Sequence, residues 1–364
     1  MWKTTEGSTG RLIQLAIGYF IFYVITGVTV KYFTGSASQG FPGMKQVEYL
    51  VYNTMGGNFI ALSVALVLRW YHIKSNKIIT IWKLRFPQEI LYIIPSGICT
   101  AVVIPTTTLM YLLPISVMVA MVIMRASVII ISRVVDAIQI RQGILKKNVY
   151  AEENYAVLFA LLAAAMNIFW VAPGDFDFIN SLPAVTILSS YIVVYSIRIY
   201  IMNYYKNTRA VGVKLDNNGF FAIEQITASI VMVSVGFILF HSPEWFQTTN
   251  EQLLIFQQSM VVPHAQWMWA VVAGFAFGMV AFFSVFIFMF KGRTATFAGL
   301  VNRLTSLVAG TGATLVSYFL FQGKFPKMQD WISLVFILIA VGFLSRAERK
   351  RIQELAATKE IEVK

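Results

Sequence analysis

The sequence predicts an all-α polytopic membrane protein with ten transmembrane helices arranged as two inverted five-helix repeats. Three observations predict it. Only 13% of the 364 residues are charged while 57% are hydrophobic, too little charge to coat a water-exposed globule. Apolar stretches long enough to cross a hydrocarbon core of about 30 Å recur along the whole chain. The basic residues cluster in alternate connections between those stretches, the pattern that membrane topology imposes.

The ten stretches are 12–33, 49–70, 90–111, 114–135, 155–172, 183–205, 219–240, 267–290, 296–320 and 331–345. The first follows Lys3 and Arg11 and is longer than a signal-peptide core, so it is read as a span. Residues 34–48 are Gly/Ser-rich and predict an irregular connection. The third and fourth stretches meet at Leu113-Pro114, where proline favours a break over one very long helix. Residues 241–266 carry Trp245, Phe246, Leu253, Leu254 and Phe256 among polar neighbours, a pattern that allows a short amphipathic helix as readily as a solvated loop. The tail from Arg346 reads as a charged helical extension. The organisation is therefore a first repeat over 1–178, a second over 179–345 and a charged tail over 346–364.

Lys and Arg total 22 on the face shared by the termini and four on the other. This bias predicts that both termini are cytoplasmic. A net charge of +12 is thereby explained by topology, and nucleic acid is not called for. The absence of an Asn-x-Ser/Thr sequon favours a bacterial inner membrane over an endomembrane. Cys99, the one cysteine, excludes an internal disulfide and a cysteine metal cluster. The three histidines are isolated, and Asp175, Asp177 and Asp216 sit in loops. No hydrolytic or metal site is expected at membrane depth, so the chain reads as a non-enzyme without metal or cofactor.

Three arginines fall inside the spans: Arg125, Arg198 and Arg303. Segment 122–130 reads VIMRASVII and segment 300–308 reads LVNRLTSLV. Each has an arginine followed within three residues by a hydroxyl, Ser127 in one, Thr305 and Ser306 in the other. The arginines are 178 residues apart, close to half the chain, and five spans lie on each side of the midpoint. That is the pattern of an inverted repeat, which many secondary transporters use to build a site near the midplane. The same offset sets Ser96-Gly97 against Gly274-Phe275.

The stretch LLPISVMVAMVIMRASVIIISRVVD (112–136), with its proline corner and Arg-x-Ser before a β-branched run, resembles the fourth helix of the drug/metabolite transporter superfamily (EamA-like). It is most similar to the branch of nucleotide-sugar transporters and related solute carriers. The resemblance implies ten spans, two inverted halves, cytoplasmic termini and transport by alternating access.

Arg125 and Arg303 each lie more than about 10 Å along their helix from the nearer end, at 1.5 Å per residue, beyond comfortable snorkelling. A charge there costs about 2.5–3.5 kcal/mol on insertion scales and should face a cavity or a partner. The expected role is bidentate binding of a carboxylate or phosphate. Ser127, Thr305, Asn58, Asn167 and Tyr195 are further candidate substrate contacts. Glu224 is the one acid well inside a span and a candidate coupling or gating group, with Arg198 close enough to its own helix end to snorkel or pair with it. The expected function is secondary transport of a small organic anion. The alternatives are export of neutral or cationic metabolites, or a non-transporting scaffold or receptor. The expected partners are a small-molecule substrate and the lipid bilayer, with a homodimer left open.

Overall fold

The computed structural model describes residues 7–363 except 82, 113–116, 148, 167–180, 211 and 324, and describes no side chains at 81, 84, 108–122, 183 and 355–363. Among the described residues, eleven α-helices, one 3-10 turn (Ala37–Gln39, between α1 and α2) and one hairpin follow in order: α1 (Thr9–Phe33), α2 (Gln46–Val67), β1 (Ile78–Ile81), β2 (Leu84–Pro87), α3 (Ile90–Leu112), α4 (Val117–Arg141), α5 (Ala151–Ala165), α6 (Leu182–Asn207), α7 (Asn217–Trp245), α8 (Glu251–Val261), α9 (Trp267–Phe288), α10 (Ala295–Phe321) and α11 (Met328–Val363). Eight of the ten predicted stretches fall on helices described over essentially their whole length. These helices, α1, α2, α3, α6, α7, α9, α10 and α11, are long and apolar enough to cross a membrane. The other two predicted stretches belong to α4 and α5, and each runs partly outside the described residues. The architecture is that of a polytopic helical membrane protein.

Its outer surface fits a bilayer. Along α1, Ile13, Ile17, Ile21 and Ile25 recur every fourth residue and are 41–53% exposed. Leu12, Leu15 and Tyr19 on the same helix are buried. Such a helix is apolar on both faces, as expected where one side meets protein and the other lipid.

The departure from an all-α chain is the β1–β2 hairpin within loop 69–89. It is antiparallel, with Ile78 opposite Pro87 and Ile81 opposite Leu84. The Ile-Ile-Thr-Ile run of β1 is β-branched and short, which suits a strand better than a helix. Glu89 anchors the hairpin base by accepting from Asn76 N at 2.6 Å and from Arg209 Nη1 at 2.8 Å. The segment 241–266 does fold a helix, α8, started by Asn250, whose side chain accepts from Gln252 N and Leu253 N. Tyr52 of α2 donates to Ser259 O at 2.8 Å and fixes α8 in place.

The helices pair as α2 with α9, α3 with α7, α3 with α6, α1 with α9, α1 with α10, α4 with α6, α5 with α11, α4 with α10 and α2 with α7. The closest of these is α2 against α9. A Cβ on Gly56 would meet Val271 O at 1.8 Å, and one on Gly274 would meet Asn53 O at 2.2 Å. The two backbones are therefore in direct contact, which only glycine allows. The start of α1 and the Glu348 turn of α11 lie at the same end of the bundle, since Thr9 Oγ1 donates to Glu348 Oε1 at 2.9 Å. That end is called the terminal face below.

Gly274→Val is expected to abolish recovery of monodisperse protein, whereas Gly342→Ala, at a site with no atom within 4 Å of the added Cβ, leaves it unchanged. Size-exclusion chromatography of the two variants checks this, and normal recovery of the valine variant would refute the backbone contact.

Candidate functional site

A cavity of about 740 Å³ opens at the face opposite the termini. Lys31 and Phe41 border it from α1 and the 34–45 connection, Lys327 and Asp330 from the start of α11, and Gly310, Thr311 and Thr314 from α10. Arg125 of α4 reaches its wall. The guanidinium lies against Gly310, 3.4 Å from the position a Cβ there would take. Arg125 is half-buried and makes no hydrogen bond or ion pair among the described residues. Lys31 Nζ donates to Thr314 Oγ1 at 3.0 Å across the cavity wall. Three cations and one carboxylate thus face the same space, which leaves it with a positive field.

Arg303 lies deeper, about 10 Å along α10 from Gly310 at 1.5 Å per residue, and does not line the cavity. It is 8% exposed, and its Nε has no hydrogen-bond partner among the described residues. Its guanidinium stacks over the ring of Tyr195 at 5.1 Å. Tyr191, Tyr19 and Tyr23 complete the electrostatic surroundings of the charge. Ring faces and phenol oxygens here do the work that a carboxylate would do elsewhere, at lower strength. Tyr19 is within electrostatic reach of both Arg303 and Arg125. Its hydroxyl approaches Asn302 Oδ1 at 3.5 Å, and Asn302 Nδ2 donates to Ser284 Oγ at 3.0 Å. A polar chain from α1 through α10 to α9 therefore lies below the cavity.

The other candidates are placed as follows. Glu224 and Arg198 form a bidentate pair, with Arg198 Nε and Nη2 each 2.9 Å from a carboxylate oxygen, and Ser96 Oγ donates to Glu224 Oε1 at 2.7 Å. Glu224 is fully buried and Arg198 is 5% exposed, so the pair joins α6, α7 and α3. Ser127 donates to Met124 O in its own helix at 3.0 Å. Thr305 opens onto a separate, mostly apolar groove between α1, α10 and α11, away from Arg125. Asn58 Nδ2 approaches Met232 Sδ at 3.7 Å and links α2 to α7. Asn167 lies outside the described residues. The structure thus sets Arg303 against Tyr195, places Arg125 on the cavity wall above them, and leaves Thr305 and Asn58 apart from these three.

Sequence reasoning passed over the polar closure of the terminal face. Asp136, at the end of α4, accepts Ala295 N at 2.8 Å and Thr296 N at 2.6 Å and so caps α10. Glu153 accepts Thr294 Oγ1 at 2.7 Å and Arg351 Nη2 at 3.3 Å. Arg293 pairs with Glu348, Nε to Oε2 at 2.7 Å. A Cβ on Gly299 would meet Ser132 Oγ at 2.3 Å, so α4 and α10 are in close contact just above the Asp136 cap. The signal for this junction lay in α11, a single 36-residue helix whose Glu348 and Arg351 recur at helical spacing. Among the described residues, no cluster of metal-ligating groups is present.

No family model matches the chain, and no curated protein matches it either. A solved structure described as "Crystal structure of protein" is similar in fold, with a TM-score of 0.59 over 94% of this chain and 99% of that one, at 11% identity. Nearly the whole chain thus shares its fold with a protein of very different sequence.

Breaking the buried ion pair with Glu224→Ala is expected to cost about 3–5 kcal/mol, because Arg198 is left charged and unpaired. The double variant Arg198→Met/Glu224→Leu is expected to lose far less than the two single losses combined. Thermal unfolding of Glu224→Ala, of the double variant and of the single variants Arg198→Met and Glu224→Leu checks this, and additive losses in the last three would refute it. Lys147, in the α4–α5 loop, titrates down at about 8, chiefly because burial disfavours its charge and secondly because Arg351 and Arg293 are near. The unfolded chain then holds this proton to higher pH than the folded chain, so stability rises with pH above about 8 up to the ordinary lysine value. Lys147→Met should raise the Tm near neutral pH and flatten its rise in that alkaline window. An unchanged slope would show that another group controls it.

Proposed function

We propose that the chain is a secondary transporter of a small organic anion, carboxylate or phosphorylated, working by alternating access, and that it belongs to the drug/metabolite transporter superfamily. The observation that carries this reading is Arg125, a guanidinium without a protein partner among the described residues, on the wall of a cavity of about 740 Å³ that it shares with Lys31 and Lys327. A partnerless charge at membrane depth is costly, and an anionic ligand is the group that would relieve it.

The packing supports an inverted repeat. Let α1 to α5 be matched in order with α6, α7, α9, α10 and α11. The contact of α2 with α9 then becomes that of α7 with α3, α3 with α6 becomes α9 with α1, and α1 with α10 becomes α6 with α4, all of which occur. Contacts of α5 with α11, α4 with α10 and α2 with α7 map onto themselves. Glycines mark matching crossings, Gly97 of α3 against α7 and Gly274 of α9 against α2. In this reading the terminal face is cytoplasmic, as the basic-residue bias requires. The cavity opens outward, and the Asp136 and Gly299 contacts hold α4 against α10 on the inner side.

A thermal-shift screen against nucleotide sugars, sugar phosphates, amino acids and organic acids identifies the substrate, and uptake into proteoliposomes follows. Arg125→Gln is expected to weaken an anionic substrate by about 10–100-fold, the loss of a charge-assisted hydrogen bond, and to affect a neutral analogue little. Equal losses for both would remove the anion reading, and the absence of saturable uptake of any compound that shifts the protein would point to a scaffold.

A further inference from the structure

A second cavity, of about 470 Å³, opens on the terminal face. Its wall is built by the start of α1, the segment before the hairpin, the connection into α7 and the α9–α10 turn. Arg11, Lys74, Lys214 and Lys291 line it, with Asp216 as the one acid of the lining. Asp216 is already engaged: Oδ1 accepts Gly219 N at 2.9 Å to cap α7, and Oδ2 accepts Lys74 N at 3.0 Å. None of the four cations forms an ion pair among the described residues.

The position of this cavity matters as much as its charge. Leu15, Phe286 and Phe290 form its apolar floor. Leu15 is one helical turn from Tyr19 on the same face of α1, and both are buried. Tyr19 begins the polar chain to Asn302 and Ser284 and is in electrostatic reach of Arg303 and Arg125. The Tyr19 layer therefore separates two cavities that open on opposite faces, each with several cations around a single carboxylate.

We infer that the terminal-face cavity is a second binding site for a small polyvalent anion of the phosphate class, formed by Arg11, Lys74, Lys214 and Lys291. This rests on the carrier reading: the site is the inner mouth of the path whose outer mouth holds Arg125. Concave walls that gather one sign of charge concentrate counter-ions far more than scattered surface lysines do. A phosphate group is the ligand that satisfies several ammonium donors and a guanidinium at once. A lipid headgroup offers the same chemistry, so the test separates the two sources.

The experiment is amine-reactive labelling of the purified full chain in phosphatidylcholine nanodiscs, read by peptide mass spectrometry, with and without pyrophosphate. Lys77 and Lys83, on the hairpin and outside the cavity lining, are the references. Pyrophosphate is expected to reduce labelling of Lys214 and Lys291 several-fold and to leave Lys77 and Lys83 unchanged. In a Lys214→Ala/Lys291→Ala variant, the protection of Lys74 should fall towards that of the references. Equal protection of all lysines would show general screening and overturn the site. Protection by phosphatidylglycerol in the nanodisc, with none from pyrophosphate, would make it a headgroup site and also overturn the inference. Proteoliposome uptake of an anion by the same preparation keeps the two readings apart. Uptake without protection sinks this site alone, and protection without uptake of any tested anion sinks the carrier reading.

Discussion

A guanidinium among apolar helices must find a counter-charge, a ring of dipoles or water, because desolvation without any of them is prohibitive. The three intramembrane arginines take three different solutions. Arg198 takes the carboxylate of Glu224 and is spent on joining α3, α6 and α7. Arg303 takes the face of Tyr195 and the company of three more tyrosines. Arg125 takes the cavity. The arrangement of the central helices follows from this division, since Glu224 can neutralise only one of the three.

The polytopic, apolar-helical character was legible because hydrophobic length is a property of the chain itself, and eight of the apolar stretches are found on helices long and apolar enough to span. The pairing of Arg198 with Glu224 was also within reach, since both lie near the same end of neighbouring spans. The depth of Arg303 below the cavity was not legible. Its place depends on how α10 is set against its neighbours, and Asn302, Arg303, Thr305 and Ser306 are spread round a wide arc of that helix, so no single face is marked as the one towards the cavity. The same setting sends Thr305 into the groove by α1 and α11, although Arg303 and Thr305 are only two residues apart. Residues at that spacing lie on nearly opposite sides of a helix. The hairpin was missed because a four-residue β-branched run in a basic loop offers little length to read.

Small side chains do as much as charged ones. Where Gly56 faces α9 and Gly274 faces α2, there is no hydrophobic drive between helices in lipid, and close backbone contact supplies the attraction instead. Gly299 plays a related part at the terminal face, where it lets α10 approach Ser132 of α4. The Asp136 cap then finishes the contact with hydrogen bonds. Apolar contact at one level and a capped helix end at another are different kinds of bond. The second can exchange its donors with water at modest cost when it opens, and the first cannot exchange with lipid.

Helix α11 runs unbroken from Met328 to Val363. Its 36 residues extend about 54 Å at the standard rise, while the hydrocarbon layer is about 30 Å thick. Several turns therefore stand outside the lipid as a stiff rod, clamped near its root where Arg351 meets Glu153 and Glu348 meets Arg293. A load applied to the far end of such a rod is delivered as leverage on the clamp, not dissipated by bending. Any fusion, tether or antibody placed on the last turns would thus pull on the junction of α5, α10 and α11.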